Sequence, residues 1–240
     1  MSQLLSDRRA GVCTLTLNRP QKLNALSGEL VDLLLAEVRR CETDGTRLLV
    51  LRGNGRNFCA GFDFSEFESE DDASLLLRFV RIEELLQAVY HAPFDTIVFA
   101  HGPTMGAGAD LVCSCARRVA SPDARFRMPG LRFGLILGSR RLLHRVGQDK
   151  ARQLLAATRT FSAERALELG FVEALHEQEA WEGLIEAAAN DATVLDAEVR
   201  RSLFAVTTPD TRHEDMSELV RSAARAGLRD RLKAYLETLK

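Results

Sequence analysis

Apolar and polar positions near the start of the chain follow the strand-then-helix order of α/β proteins. The segment from Gly11 to Leu17 alternates apolar and polar residues and ends before Pro20, which predicts a strand and then a turn. Ser27 then precedes a segment whose apolar residues recur at helical spacing from Leu30 onward. A serine at that point is a favoured N-cap, so we expect a helix to begin directly after it.

The middle of the chain continues this alternation. The short apolar runs 47–52 and 96–100 are typical of strands buried on both faces, and the segment 73–90 between them has helical periodicity. A glycine-bearing turn follows the second run and leads into an apolar segment, 106–115, that predicts a helix. Short strands are expected at 118–120 and at 125–128, before several short helices up to Leu169.

The last part of the chain has helical periodicity only. From Ala180 onward every segment predicts helix, apart from a break at 207–210 that contains Pro209. Strand–helix alternation followed by helices alone predicts an α/β protein with a core at 1–178 and a C-terminal helical region at 179–240.

Composition narrows the class of protein. The chain has 240 residues, of which 46% are hydrophobic, and a formal net charge of -2, which argues against a dedicated nucleic-acid binder. No apolar stretch reaches the roughly eighteen residues of a membrane span, and residues 1–10 lack the apolar run of a signal peptide. We therefore expect a cytoplasmic protein that does not enter membranes. The five cysteines lack zinc or redox spacing, so we expect reduced, mostly buried thiols and no metal site.

Two bends built from small residues are the candidates for chemistry. The first, around Ala60 and Gly61, follows a buried strand, and the second, around Gly106 and Ala107, leads into an apolar helix. Amides that follow such a turn are free of the sheet, and the first turn of a helix has unpaired N–H donors with a partial positive potential. Two such donors could converge on one carbonyl oxygen, as the stabilisation of an oxyanion requires.

Asp110 lies one helical turn after the second bend, in an otherwise apolar helix. An unpaired carboxylate is costly in apolar surroundings, so this residue should be paired, exposed or functional. Pairing with Arg117 or Arg118 is the structural alternative to a catalytic role.

Five motifs in order resemble those of the enoyl-CoA hydratase/isomerase (crotonase) family across nearly the whole chain. They are the opening strand with Asn24-Ala25-Leu26, the loop Asn57 to Phe64, the turn and helix Gly102 to Leu111, the segment Arg118 to Phe126, and the segment Phe161 to Val172. The resemblance implies a spiral of ββα units, with C-terminal helices that mediate trimers or dimers of trimers. It also implies an acyl-CoA substrate, with coenzyme A as part of the substrate and no permanently bound cofactor.

The resemblance also implies roles for individual residues. The two oxyanion-hole amides would belong to Phe62 and Ala107, and Asp110 would be the acid/base carboxylate. Further substrate-binding positions would be Lys22, Ala25, Ala60, Gly61, Asp63, Phe64, Gly106 and Gly130. For Asp63 the residue type favours a loop-stabilising role over a catalytic one.

The second carboxylate of a hydratase would fall at Gly130, where it is missing, and the acid position of some isomerases falls near Leu137-Gly138, which is also non-acidic. Hydration shares its proton transfers between two groups, whereas a double-bond shift needs one base. We therefore expect an isomerase-like reaction with Asp110 as the single acid/base. A CoA-thioester hydrolase or decarboxylase, and a non-catalytic acyl-CoA binder, are the alternatives.

Overall fold

The computed structural model describes residues 2–239. Its strands are β1 (Leu4–Arg9), β2 (Val12–Leu17), β3 (Leu48–Gly53), β4 (Asp95–Ala100), β5 (Pro103–Met105), β6 (Arg117–Ala120), β7 (Arg125–Arg127), β8 (Phe161–Ser162) and β9 (Ala174–Leu175). Its α-helices are α1 (Gly28–Cys41), α2 (Asp72–Tyr90), α3 (Ala107–Ser114), α4 (Ser139–Val146), α5 (Gln148–Ala157), α6 (Ala163–Leu169), α7 (Trp181–Asp191), α8 (Ala197–Thr207), α9 (Arg212–Ala223) and α10 (Leu228–Glu237). Short 3-10 turns lie at Pro20–Lys22, Phe67–Ser69, Gly130–Phe133 and Gln178–Ala180.

The strands form two sheets. The larger has the order β1-β2-β3-β4-β6-β9, in which β1 and β2 are antiparallel and the remaining pairs are parallel. The smaller sheet, β5-β7-β8, stands at the carboxyl side of β4 and carries the second small-residue bend. The apolar runs at 47–52 and 96–100 are strands of the larger sheet, so the prediction of buried strands there is confirmed.

The helix prediction after Ser27 is also confirmed, since the Ser27 side chain accepts a hydrogen bond from the Leu30 N–H at 3.2 Å. The predicted helix at 73–90 begins one residue earlier, at Asp72. Strand β1 was not predicted, because this edge strand is mostly exposed and Ser6, Asp7 and Arg8 interrupt any apolar alternation.

The helices after residue 178 share the core of the preceding strands. Leu219, Leu232 and Tyr235 are buried in the cluster that also contains the apolar face of α1. Trp181 covers the outer face of the larger sheet, where its ring centroid lies 5.0 Å from that of Phe99. The C-terminal helices therefore complete the core that the strands begin. Within residues 2–239 no helix is long and apolar enough to cross a membrane.

A buried ion-pair network joins α2, α4 and α9. The Arg141 guanidinium is fully buried, bonds both carboxylate oxygens of Glu83, and lies 3.2 Å from an Asp215 oxygen. Asp215 also pairs with the more exposed Arg140 at 2.9 Å. Because three helices distant in sequence supply these charges, the network holds α2, α4 and α9 together.

Removing one member of a buried ion pair leaves the other charge unpaired, so Arg141→Met should lower the free energy of unfolding by about 3–5 kcal/mol. The measurement is urea denaturation followed by circular dichroism. The control is Arg140→Met on the same helix, whose half-exposed pair should contribute only about 0–1 kcal/mol. An equal loss of unfolding free energy in both variants would contradict a special role for the buried Arg141 network.

Candidate active site

The two small-residue bends pack directly against each other. The Met105 N–H donates to the Cys59 carbonyl at 3.0 Å, and the Phe58 N–H donates to the His101 carbonyl at 2.9 Å. These bonds join the loop after β3 to the segment between β4 and α3. The carboxyl ends of two parallel strands thereby place both bends at one edge of the molecule.

Glycine makes this close approach possible. Gly61 has a φ of +87°, and a Cβ there would lie closer than 3.0 Å to the Met105 carbonyl oxygen and 3.2 Å from the Ala107 nitrogen. At Gly108 a Cβ would overlap the carbonyl of Cys59. Any larger residue at these positions would force the bends apart.

The amides of Phe62 and Ala107 are left without acceptors. The Leu26 N–H donates to the Gly61 carbonyl at 2.7 Å, and the Leu26 carbonyl accepts from the Asp63 N–H at 3.3 Å. The Phe62 N–H, which lies between these two bonds, takes no part in them. Ala107 is the first residue of α3, where N–H groups have no partner within the helix. Across residues 2–239 neither amide donates a hydrogen bond.

Phe62 and Ala107 both line a mainly apolar cavity of about 770 Å³. Every site residue predicted from the sequence lines this cavity except Gly61, which lies behind its wall: Lys22, Ala25, Ala60, Phe62, Asp63, Phe64, Gly106, Ala107, Asp110 and Gly130. The fold thus brings together residues that are up to 108 positions apart in the chain, from Lys22 to Gly130.

Asp110 lies on α3 at the inner end of the cavity and is 5% exposed. Burial raises the pKa of its carboxyl to about 7, because the loss of water outweighs the opposing effects of the Arg141 charge and the nearby Gly138 backbone. Arg117 pairs instead with Asp191, and Arg118 pairs with Glu173, each at 2.9 Å. The structural alternative, in which Asp110 pairs with one of these arginines, is therefore wrong.

Apart from Asp63, no carboxylate of residues 2–239 lines the cavity together with Asp110. Gly130 offers no side chain, and a Cβ there would lie 3.0 Å from the Leu135 carbonyl oxygen. At Gly138 a Cβ would overlap the Asp110 carboxylate itself. An acidic side chain at that position is thus incompatible with the present placement of Asp110.

Asp63 is held by its own loop. Its carboxylate accepts hydrogen bonds from the Ser65 N–H at 2.9 Å and from the Arg19 guanidinium at 2.7 Å. Burial alone would raise the pKa of Asp63, but these hydrogen bonds and the arginine charge lower it below its usual value. The two interactions match the loop-stabilising role expected from the residue type.

Several residues that line the cavity could not be predicted from the sequence motifs. Phe79 from α2 stacks on Phe62 with ring centroids 4.5 Å apart. Tyr235, Leu236 and Leu239, at the end of the chain, close another side. Their spacing is that of any amphipathic helix, so only the packing of α10 against the 3-10 turn at Gly130–Phe133 identifies them.

The fold and the cavity define an α/β protein with a mainly apolar cavity lined by Phe62, Ala107 and the buried Asp110. A family model described as enoyl-CoA hydratase/isomerase matches residues 7–240. A crystal structure of a Bordetella parapertussis protein of the same description superimposes with a TM-score of 0.96 at 46% identity, covering 98% of each chain.

Two sequence relatives agree with this match. A probable enoyl-CoA hydratase from Bacillus subtilis is 36% identical over 67% of this chain and 64% of its own length, which is slightly under two thirds. A probable enoyl-CoA hydratase from Mycobacterium bovis is 36% identical over 71% of this chain and 70% of its own length. The chain belongs to the enoyl-CoA hydratase/isomerase family, and its fold is the crotonase fold expected from the sequence.

Replacing Gly61 should disturb the contact between the bends. Gly61→Ala puts a Cβ against the Met105 carbonyl at a left-handed φ, and we expect it to lower the free energy of unfolding by about 1–3 kcal/mol. The control is Gly183→Ala in α7, where a Cβ meets nothing within 4 Å and should stabilise the helix by up to about 1 kcal/mol. Thermal and urea unfolding measure both, and a neutral Gly61→Ala would refute the close approach.

The raised pKa of Asp110 predicts a pH-dependent stability. A carboxyl with a raised folded pKa favours folding when it is protonated and opposes folding increasingly as pH rises from about 4 to about 7. Asp110→Asn should therefore be more stable than the native protein at pH 8, and this advantage should vanish towards pH 4.

The matched comparison is Asp63→Asn, whose carboxyl has a lowered pKa and so stabilises the fold at neutral pH. That variant should be less stable than the native protein at pH 8, and the deficit should shrink as pH falls. Urea unfolding at several pH values distinguishes the two signs. The same sign for both variants would show that Asp110 is not desolvated.

Proposed function

We propose that this chain binds an acyl-CoA thioester, holds its carbonyl oxygen with the amides of Phe62 and Ala107, and moves a proton with Asp110. The observation that carries the proposal is that two bends, each with an N–H donor that has no acceptor, and one carboxyl without an ion-pair partner belong to a single apolar cavity. An enolate oxygen would satisfy both amides, and each such donor is typically worth about 3–4 kcal/mol of barrier.

A double-bond shift fits this cavity better than hydration does. Among residues 2–239, the carboxylates that line it are those of Asp110 and Asp63, and Asp63 is hydrogen-bonded to Arg19 and Ser65. Addition of water needs a group to activate the water and a donor for the α-carbon. With a single available carboxyl, removal and return of one proton is the reaction that the side chains support.

The proposed steps conserve atoms and charge. The Asp110 carboxylate takes a proton from C2 of a 3-enoyl thioester, and the electron pair moves through the C2–C1 bond onto the thioester oxygen. The amides of Phe62 and Ala107 hold that negative oxygen. Return of the proton from Asp110 to C4 then restores the carbonyl and leaves the double bond between C2 and C3. Because both proton transfers use one group, Asp110 must face C2 and C4 in turn.

Electrostatics suit this role. A general acid/base works best when its pKa is near the working pH, and burial brings the pKa of Asp110 to about 7. Lys22 is exposed at the mouth of the cavity, where it would meet the anionic part of coenzyme A. We propose no permanently bound cofactor, and a homotrimer or dimer of trimers as the assembly.

The proposal predicts that Asp110→Asn loses turnover of 3-enoyl- and 2-enoyl-CoA by at least about a hundredfold, while acyl-CoA binding survives. In the native protein kcat/KM should fall about tenfold per pH unit below pH 7, since only the ionised carboxylate can accept the proton. The control is Asp95→Asn, a half-buried carboxylate outside the cavity that faces Arg200 and should leave turnover unchanged. Unchanged turnover in Asp110→Asn would make Asp110 a structural residue.

A panel of 2-enoyl, 3-enoyl and dienoyl thioesters, with mass analysis of the products, distinguishes the possible reactions. A shifted double bond leaves the mass unchanged, whereas hydration adds one water. Release of free thiol would indicate the hydrolase alternative. Tight binding of thioesters without turnover of any of them would indicate a non-catalytic acyl-CoA binder.

A further inference from the structure

Three arginines from separate segments face one recess beside the active-site cavity. Arg127 ends β7, Arg132 belongs to the 3-10 turn at Gly130–Phe133, and Arg159 lies in the loop between α5 and β8. The recess has a volume of about 540 Å³ and is lined by these arginines and by the short segment 157–160. Its lining contains no acidic residue from positions 2–239.

The positive charge of this recess is not neutralised in the part of the chain that the structure describes. None of the three guanidiniums forms an ion pair there, although the whole chain has two more acidic than basic side chains, 34 against 32. Several arginines elsewhere at the surface do have a carboxylate partner, as Arg117 does with Asp191 and Arg165 does with Glu168. A concentration of like charges without counter-charge costs energy unless an anion joins it.

The geometry holds donors ready for such an anion. The Nε of Arg127 donates to the Thr158 carbonyl at 2.8 Å, which anchors the side chain and leaves its two terminal nitrogens free to face the recess. Arg132 leans on the Tyr235 ring, with its guanidinium carbon 5.8 Å from the centroid. A guanidinium anchored in this way loses less freedom when it binds an oxyanion with two parallel hydrogen bonds.

The backbone beside the recess is strained. Thr158 ends α5 with a φ of +48°, a conformation that β-branched residues rarely adopt. This conformation turns the chain so that the Thr158 carbonyl meets Arg127 while Arg159 stays at the recess. Backbone strain of this kind is frequent at ligand clamps.

The recess adjoins the cavity. Arg127 and Thr160 line both, and the Arg127 carbonyl accepts the Gly106 N–H at 2.8 Å, directly before Ala107. An anion bound here would therefore belong to the molecule that fills the cavity, or lie against it. We propose that Arg127, Arg132 and Arg159 form an oxyanion-binding site for a second, negatively charged group of the substrate.

This inference rests on the proposed acyl-CoA function, which offers two sources of such a group. One is a phosphate of the coenzyme A part, and the other is a carboxylate at the far end of the acyl chain. Both groups suit the planar, two-pronged donor of arginine. The site would then select substrates by charge, while the apolar cavity selects them by shape.

The test compares Kd values of the native protein and the double variant Arg132→Met/Arg159→Met by calorimetry. Three saturated ligands are used because they bind without turnover: hexanoyl-CoA, hexanoyl-pantetheine, and adipyl-CoA, which has a distal carboxylate. Arg127 is left intact because its backbone and Nε help to shape the site. The control is Arg201→Met on α8, an exposed arginine outside both cavities.

A phosphate source predicts that the double variant binds both CoA thioesters at least about tenfold more weakly but binds hexanoyl-pantetheine as the native protein does. A carboxylate source predicts the same loss for adipyl-CoA alone. In either case the loss should shrink at high salt, because the screened charges contribute less.

Unchanged affinity for all three ligands would overturn the oxyanion site, and so would an equal loss for all three, which indicates a structural role. Failure of the native protein to bind any of the thioesters would instead overturn the proposed function itself. The two failures are therefore distinguishable in one experiment.

Discussion

The close contact between two backbone bends is the constraint on which the rest of the site depends. Gly61 lies against Met105 and Ala107, and Gly108 lies against Cys59, at separations that no side chain would allow. Hydrogen bonds from Met105 to Cys59 and from Phe58 to His101 hold the bends in register. The amides of Phe62 and Ala107 have no acceptor within residues 2–239, and both residues line the cavity. Main-chain donors held in this way cannot relax away from a ligand as flexible side chains can.

The charged residues near Asp110 determine the state of its carboxyl. Arg141 forms ion pairs with Glu83 and Asp215. The charge of Arg141 therefore compensates that of Asp110 only in part, and the two nearby carboxylates are themselves paired. Gly138, directly before α4, brings its backbone against the Asp110 carboxylate, where a Cβ would overlap it. The carboxyl is therefore desolvated but not salt-bridged. That combination brings its pKa close to neutral, where one group can both take and return a proton.

The C-terminal helices make the cavity complete. Tyr235 and Leu236 of α10 close one wall, and the Arg231 guanidinium fixes that helix by donating to the carbonyls of Phe133 (2.7 Å) and Ala223 (3.1 Å). Arg231 is thus used within its own chain. The expected division at residue 178 separates the strands from the last helices in sequence, but the two parts share one hydrophobic core. The apolar wall and the arginine recess meet where Arg132 lies over the Tyr235 ring. An apolar surface and a positively charged surface are therefore adjacent.

The sequence by itself determined the order of strands and helices, the two glycine-bearing bends and the family, because these depend on local periodicity, turn chemistry and short motifs. It also placed Asp110 one turn after the second bend. Only the tertiary structure decided that Asp110 has no arginine partner, that Gly138 excludes a side chain beside it, and that Arg127, Arg132 and Arg159 converge. Contacts of this kind join segments far apart in the chain, and no local pattern encodes which segments will meet. The same limit explains β1, whose pairing with β2 forms an exposed edge that its polar residues do not reveal.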